Sequence, residues 1–434
     1  MGKGHSIMTR TAISVDHIAR IEGHGNVHVQ IEEGRVKDVQ MNIVEPARLF
    51  ESMVKGRSYK EVSYIASRIC GICSASHVVT DLKAIEAVFG VEVSKRTKMI
   101  RELLIYGSYL QNHAAHLFVF AAPDFIGQPS VFPLAESDPD LFRRALELKG
   151  FGNELCTAVG GRSIHPITAV VGGFTHEVTP AEYERLADRM EALVPFAKSV
   201  VDLFAGFPIC DISSEGDMLA LVEPGAYPVQ SSSTMRFADT DEEFNADCFA
   251  DHIEEYTVGH SAAYFAQRRS TGRPYMTSAL ARVNVSWDNL GKEAKVASAK
   301  AGLRPPEHNP LLNNVAQAVE LVDSLERCAG ICRELAKGAG SSKPVAFTPQ
   351  AGRGVGVTEA PRGLVFHELE LDECGDVVHA SIVTPTSQNL ANMECDIRLL
   401  AETLAATGID EDTLRLEIEK LIRAYDPCLS CSVH

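Results

Sequence analysis

No apolar run among the 434 residues reaches the length of a membrane-spanning helix, and the opening Met1-Gly2-Lys3-Gly4-His5-Ser6-Ile7-Met8 carries no apolar signal core. A chain without a membrane span, in the cytoplasm, is therefore expected. Basic residues are in short supply: 41 Lys and Arg face 58 Asp and Glu, a net charge of -17. That balance argues against nucleic acid and against an anionic membrane surface as partners. A secreted disulfide framework is missing too. The eleven cysteines are odd in number, and Cys156, Cys210, Cys248, Cys374 and Cys395 are scattered without regular spacing, as reduced thiols would be. There is no internal repeat and no low-complexity tract.

What is present is a mixed pattern of ordinary globular composition, 45% apolar and 23% charged. Its length implies more than one packed unit. Residues 11–45 alternate apolar and polar positions around Glu32-Glu33-Gly34-Arg35, which predicts a β-hairpin. Helical periodicity runs over 59–125, and residues 127–141, broken by proline, predict a loop. Thr179-Pro180-Ala181-Glu182 opens a second helical block to about 206 with a capping arrangement. Helices return over 306–338 and 388–424, separated by a glycine-rich strand-and-turn stretch. The expected organisation is an N-terminal β-rich segment (1–58), a helical core (59–206), a mixed peripheral region (207–305) and a helical and β region (306–434). The fold class is α+β, predominantly helical, with β-rich segments near the N-terminus and before the C-terminal helices.

Two C-x-x-C pairs stand at opposite ends, Cys70-Gly71-Ile72-Cys73 and Cys428-Leu429-Ser430-Cys431. Four thiolates form a complete soft-metal ligand set. Zinc ribbons separate their pairs by roughly 15 to 20 residues, whereas here most of the chain intervenes. The cysteines alone leave a structural zinc and a redox metal equally open. Cys328 and Cys332 share one helical face and read as buried thiols in a helix contact.

The surroundings of the pairs narrow the choice. Arg68-Ile69-Cys70-Gly71-Ile72-Cys73, with His77 four residues on, and Asp426-Pro427-Cys428 through Cys431 to His434 resemble the paired signatures of nickel–iron hydrogenase large subunits. Further elements of that family stand in order between them. These are Arg20-Ile21-Glu22-Gly23-His24, Gly160-Gly161-Arg162-Ser163-Ile164-His165-Pro166, Glu359-Ala360-Pro361-Arg362-Gly363 and Pro385-Thr386-Ser387-Gln388-Asn389. The resemblance implies the large-subunit fold, built on a central bundle of long helices, and reversible heterolytic cleavage of hydrogen.

By that resemblance Cys70 and Cys428 are terminal nickel ligands, and Cys73 and Cys431 bridge nickel to an iron that carries two cyanides and one carbon monoxide. Arg362, after Pro361, is expected over the metals, where its permanent charge offsets thiolates and cyanides. The resemblance implies a catalytic role for it there, polarising hydrogen or acting as base in competition with a cysteine thiolate such as Cys428. Asp426 is expected to pair with it. Glu22 is expected to relay protons from Cys428, with Gly23 permitting close backbone approach. His77 is expected to donate to the Cys73 sulfur and Thr386, after Pro385, to a cyanide nitrogen. Asn112 stands where many family members have Asp, which removes one carboxylate from the canopy. Glu51 and His434 are expected to ligate a structural magnesium ion.

By the resemblance, the chain's ending at His434 is read as the form left after a maturation protease removes a C-terminal tail, or as a form made without that tail. No ferredoxin-like cysteine run is present, so no iron–sulfur cluster is expected in this chain. Electrons would leave through an iron–sulfur small subunit, then through further flavin or iron–sulfur subunits. The soluble multi-subunit branch is the expected setting, with NAD(P), a deazaflavin, ferredoxin or a disulfide reductase as acceptor. Maturation proteins would assemble the centre. A regulatory hydrogen sensor with the same metal site is the alternative function.

Overall fold

The computed structural model describes residues 10–32 and 35–433. The N-terminal alternation forms a three-stranded antiparallel sheet, in which Gly25–Glu32 lies between Arg10–Val15 and Arg35–Ile43. Val27, Val29 and Ile31 point into the core, as period-two patterning requires. Glu32 pairs with Arg35 across the expected hairpin, whose turn residues Glu33 and Gly34 lie outside the described residues.

Four long helices form the centre: Lys95–Ala115, Pro139–Gly160, Pro180–Ala205 and Asn313–Ala336. The last packs along Pro180–Ala205 and Lys95–Ala115, and Lys95–Ala115 packs along Pro139–Gly160. Thr179 caps its helix as expected, its side chain accepting from the Glu182 amide, with Pro180 in the first turn. Such a cap contributes about 1 kcal/mol. The Pro139–Gly160 helix was not expected. Pro139, read as part of a loop, is instead the opening residue of that helix, and the Asp138 side chain accepts from the Leu141 amide. The buried face of Ala145, Leu148, Phe151, Leu155 and Val159 holds it to the bundle.

Between Pro180–Ala205 and Asn313–Ala336 the chain forms short strands and the helices Ala279–Ser286 and Lys292–Lys300. Leu219, Phe237 and Phe244 there share an apolar cluster with Val357, Leu364 and Phe366. The glycine-rich stretch before the C-terminal helices is a second three-stranded antiparallel sheet of Gly352–Ala360, Gly363–Leu371 and Val377–Val383. The Ser74–Phe89 helix lies across it. That approach requires glycine at Gly354 and Gly356, where a Cβ would run into the Ala84 and Thr80 carbonyl oxygens. The C-terminal periodicity resolves into two helices, Pro385–Ala405 and Glu411–Ala424. No helix among the described residues is long and apolar enough to cross a membrane.

Four connections meet in the interior: the Cys70–Cys73 turn before the Ser74–Phe89 helix, the segment carrying Glu22 between the first two strands, the Pro361-Arg362 hairpin tip, and residues 426–431 beyond the Glu411–Ala424 helix.

Candidate metal centre

The two cysteine pairs come together. The sulfurs of Cys70, Cys428 and Cys431 all lie within 4.8 Å of one another, and all four cysteines are buried. Cys428 Sγ is 3.5 Å from Cys70 Sγ. The Cys428 and Cys431 sulfurs are in contact with each other, and Cys70 and Cys73 are free thiols. Phe50, Ala66, Ile69, Ala360, Val365 and Ile382 form an apolar shell around the four. The Cys73 thiol hydrogen-bonds to Cys70 and brings the Cys70 sulfur down to about 7 against the opposing effect of burial, helped by Arg362. Cys73 is correspondingly held well above the ordinary thiol range.

Glu22 is brought to the other end of the group, where its Oε2 is 3.0 Å from Cys428 Sγ. The two segments pair as a short parallel bridge, with the Leu429 amide donating to the Glu22 carbonyl at 2.9 Å. Ser430 secures the carboxylate: its amide donates to Oε2 at 3.2 Å and its hydroxyl to Oε1 at 2.5 Å. Gly23 has φ +86°, and a Cβ there would stand 2.9 Å from both Leu429 Cβ and Ser430 N. The close approach anticipated for this glycine is therefore present.

Arg362 occupies the tip of a two-residue connection between the paired residues Ala360 and Gly363. Its Nη1 is 3.7 Å from Cys73 Sγ, and its Nε donates to Asp426 Oδ1 at 2.9 Å. The Asp426 carboxylate also accepts from Asn112 Nδ2 at 2.7 Å and Gln317 Nε2 at 3.0 Å. Burial works to raise Asp426, but Arg362 and these donors hold it below the ordinary carboxylate range. Asn112 thus supplies a donor where an aspartate would have set a second carboxylate against Asp426. Burial pulls the Arg362 guanidinium down, and Asp426 followed by the Cys73 and Cys70 sulfurs more than restores it.

His77 is fully buried one turn beyond Cys73, its amide donating to the Cys73 carbonyl at 3.2 Å. Its Nδ1 is 3.0 Å from His367 Nε2, and His367 Nδ1 is 2.7 Å from Asp81 Oδ1. Pro385 starts its helix, and Thr386 Oγ1 accepts from the Cys428 amide at 2.9 Å, leaving its own proton to donate. Glu51 accepts from the Ile382 amide at 2.7 Å. Its expected magnesium partner His434 lies outside the described residues. Glu255 sits close enough to Glu51 to be raised by it, and burial with that neighbour takes it to about 8.

Several contributors were not anticipated: Ser430, Asp81, His367, Glu255, Arg282 and Glu320; Glu359 stood in a quoted motif but was given no role. Ser430 was visible between the two cysteines. Arg282 is the single charged residue of the Ala279–Ser286 helix, and a lone charge in such a stretch is the signal of a paired buried ion. Glu320 stands among several other charges in Asn313–Ala336 and carried no such signal.

The donor set fits a soft, electron-rich metal with strong-field ligands. Sulfur is the natural donor for nickel and low-spin iron. Arg362 Nη2 is buried with no hydrogen-bond partner, an orphaned donor that an anionic iron ligand such as cyanide would satisfy.

Comparison with known proteins agrees. The family described as nickel-dependent hydrogenase matches residues 48–140 and 309–434, and a HoxL-like family matches residues 12–45. The chain is 35% identical over 426 residues to the alpha component of sulfhydrogenase 1 from Pyrococcus furiosus, covering 97% of each. It is 32% identical to an F420-non-reducing hydrogenase of Methanothermobacter thermautotrophicus, over 97% of this chain and 94% of the other. An NAD+-reducing [NiFe]-hydrogenase crystallised in its H2-reduced state superimposes with a TM-score of 0.87 at 27% identity, covering 98% of this chain and 99% of that one. The chain belongs to the nickel-dependent hydrogenase family and has the large-subunit fold.

Proposed function

We propose that the chain is the catalytic subunit of a nickel–iron hydrogenase working in the cytoplasm. The observation that carries this is the convergence of the Cys70, Cys428 and Cys431 sulfurs beneath Arg362, with Glu22 on Cys428. In this reading Cys70 and Cys428 would hold nickel, and Cys73 and Cys431 would hold nickel together with an iron that carries two cyanides and one carbon monoxide. The centre, once bound, supplies heterolytic cleavage of hydrogen.

The protein's own groups do the rest. Cys428 and Cys431 must both be reduced before they can ligate, since thiolate is the binding form. Arg362 offsets the accumulated negative charge with a guanidinium that stays protonated. Glu22 Oε2, 3.0 Å from Cys428 Sγ, takes a proton from that sulfur, and the Ser430 hydroxyl on Oε1 marks the way outward. Thr386 has a hydroxyl proton to give to a cyanide nitrogen. Glu51 and His434 would hold a structural magnesium ion.

Electrons pass to an iron–sulfur small subunit, then onward through flavin or iron–sulfur subunits. The relatives include an NAD+-reducing enzyme, which supports a soluble acceptor. Maturation proteins and a C-terminal protease act during assembly. Metal analysis with infrared spectroscopy tests the reading: nickel and iron in equal amounts with cyanide and carbon monoxide bands are expected. Zinc alone, without such bands, overturns it.

A further inference from the structure

Arg362 is held at its side chain by Asp426, and its backbone is held by a second buried arginine that the chemistry does not otherwise use. The Arg282 guanidinium, 2% exposed, engages every one of its donors. Nε and Nη2 grip Glu320 at 2.6 and 2.8 Å, and Nη1 donates to Glu359 Oε2 at 3.0 Å. The remaining two bonds go to main-chain carbonyls, Nη1 to Ala360 at 3.0 Å and Nη2 to Pro361 at 2.9 Å. Those are the two residues immediately before Arg362.

The structure assigns to Arg282 the role of positioning residue for Arg362. The role rests on the hydrogenase reading above and adds a residue to it. A two-residue hairpin tip is restrained by its flanking strands alone, so its central peptide can rock. Fixing the Ala360 and Pro361 carbonyls sets the plane from which the Arg362 side chain departs. Arg282 is itself immobilised: its guanidinium lies over the Tyr109 ring at 4.9 Å, and Glu320 is held by His113 Nε2 at 2.8 Å and by the Tyr227 hydroxyl at 2.7 Å. His113 is adjacent to Asn112, which anchors Asp426. One helix turn therefore carries both restraints on Arg362, the first through Asp426 and the second through Glu320 and Arg282.

Burying an arginine between two carboxylates is an inefficient way to gain stability, because apolar residues of similar volume commonly do as well. The choice makes sense if the guanidinium's geometry is what is needed. Lysine keeps the charge but has three donors on one atom and cannot span two carboxylates and two carbonyls.

The test compares Arg282→Lys, Arg362→Lys and the double variant in the assembled enzyme. Arg282→Lys is expected to retain nickel and iron, to shift or split the cyanide bands of the unreacted centre, and to lower kcat about 100-fold at unchanged KM for hydrogen. The double variant is expected to be no worse than Arg362→Lys alone, because both changes remove one orienting effect, whereas independent structural damage would add. Cyanide bands at wild-type positions with kcat within twofold of wild type, or additive losses in the double variant, would overturn the assignment. If Arg282→Lys does not accumulate, Glu320→Gln loosens the grip on Arg282 and is expected to move the bands the same way; unmoved bands there overturn it equally. Wild-type enzyme without cyanide bands would instead refute the hydrogenase reading itself.

Discussion

Glu22 and Cys428 are 406 positions apart in the chain and 3.0 Å apart in the fold, carboxylate oxygen to sulfur. The contact is fixed from both sides, by the Leu429 amide on the Glu22 carbonyl and by Ser430 on both carboxylate oxygens. Replacing Glu22 by Gln keeps the shape and removes the proton acceptor. Hydrogen–deuterium exchange and hydrogen uptake are expected to fall by about 10²- to 10⁴-fold, with metal content and cyanide bands unchanged. Mass-spectrometric exchange measures this, and a variant retaining more than a tenth of wild-type exchange would remove Glu22 from the proton path.

Gly23 makes that contact possible, so its replacement has a separate signature. Alanine there meets Leu429 and Ser430 at 2.9 Å and must hold φ +86°. Overpacking costs roughly 1–3 kcal/mol and the left-handed backbone roughly 1–2 more. Gly23→Ala is expected to lower the thermal midpoint and to slow proton exchange together, because the segment bearing Glu22 is pushed off the Cys428 turn. An unchanged midpoint in thermal denaturation would contradict the close packing.

Much of this site was legible because it is built from short motifs whose chemistry is local. Cys70, Cys73, Cys428 and Cys431 announced a soft-metal set by type and spacing, and Gly23 announced a close approach. The N-terminal hairpin and the capped Pro180–Ala205 helix followed from period-two alternation and a Thr-Pro start. What stayed hidden depends on partners distant in the chain. Arg282 could not be matched to Ala360 and Pro361, nor His367 to Asp81, because no periodicity links a helix to a strand 78 or 286 residues away. The Pro139–Gly160 helix was hidden for a different reason. Proline at a helix's first turn and proline in a loop look alike until the capping Asp138 and the buried face behind it are counted.

Thiolate is the form that binds a soft metal, so a disulfide between Cys428 and Cys431 would remove both sulfurs from the ligand set. Metal-free chain in its oxidised form is expected to bind no nickel, and chain treated with a thiol reductant is expected to bind it. Cys70→Ser is expected to bind at least tenfold more weakly even when reduced, since a hydroxyl is a poor donor for a soft metal. Equilibrium dialysis with elemental analysis measures both. Equal nickel uptake by oxidised and reduced chain would show that the C-terminal pair is not part of the ligand set.

The buried carboxylates around Arg282 give stability a definite pH dependence. Burial takes Glu359 up to about 7 from its ordinary 4.5, with Arg282 opposing. Between those two pH values the folded chain holds a proton that the unfolded chain has released, so this group's contribution falls as pH rises from 4.5 to 7. At about 1.4 kcal/mol per pH unit the loss comes to roughly 3 kcal/mol. Glu320 runs the other way. Although burial pushes it up, Arg282 holds it down at about 2, so its contribution is present above 4.5 and is lost as pH falls toward 2. Glu359→Gln cannot ionise and keeps an acceptor for the Leu221 amide, which donates to Glu359 Oε1 at 2.8 Å. The variant is therefore expected to gain stability over wild type at pH 8 relative to pH 5. Thermal midpoints at the two pH values decide the matter, and an identical change at both would mean that Glu359 does not take up a proton on folding.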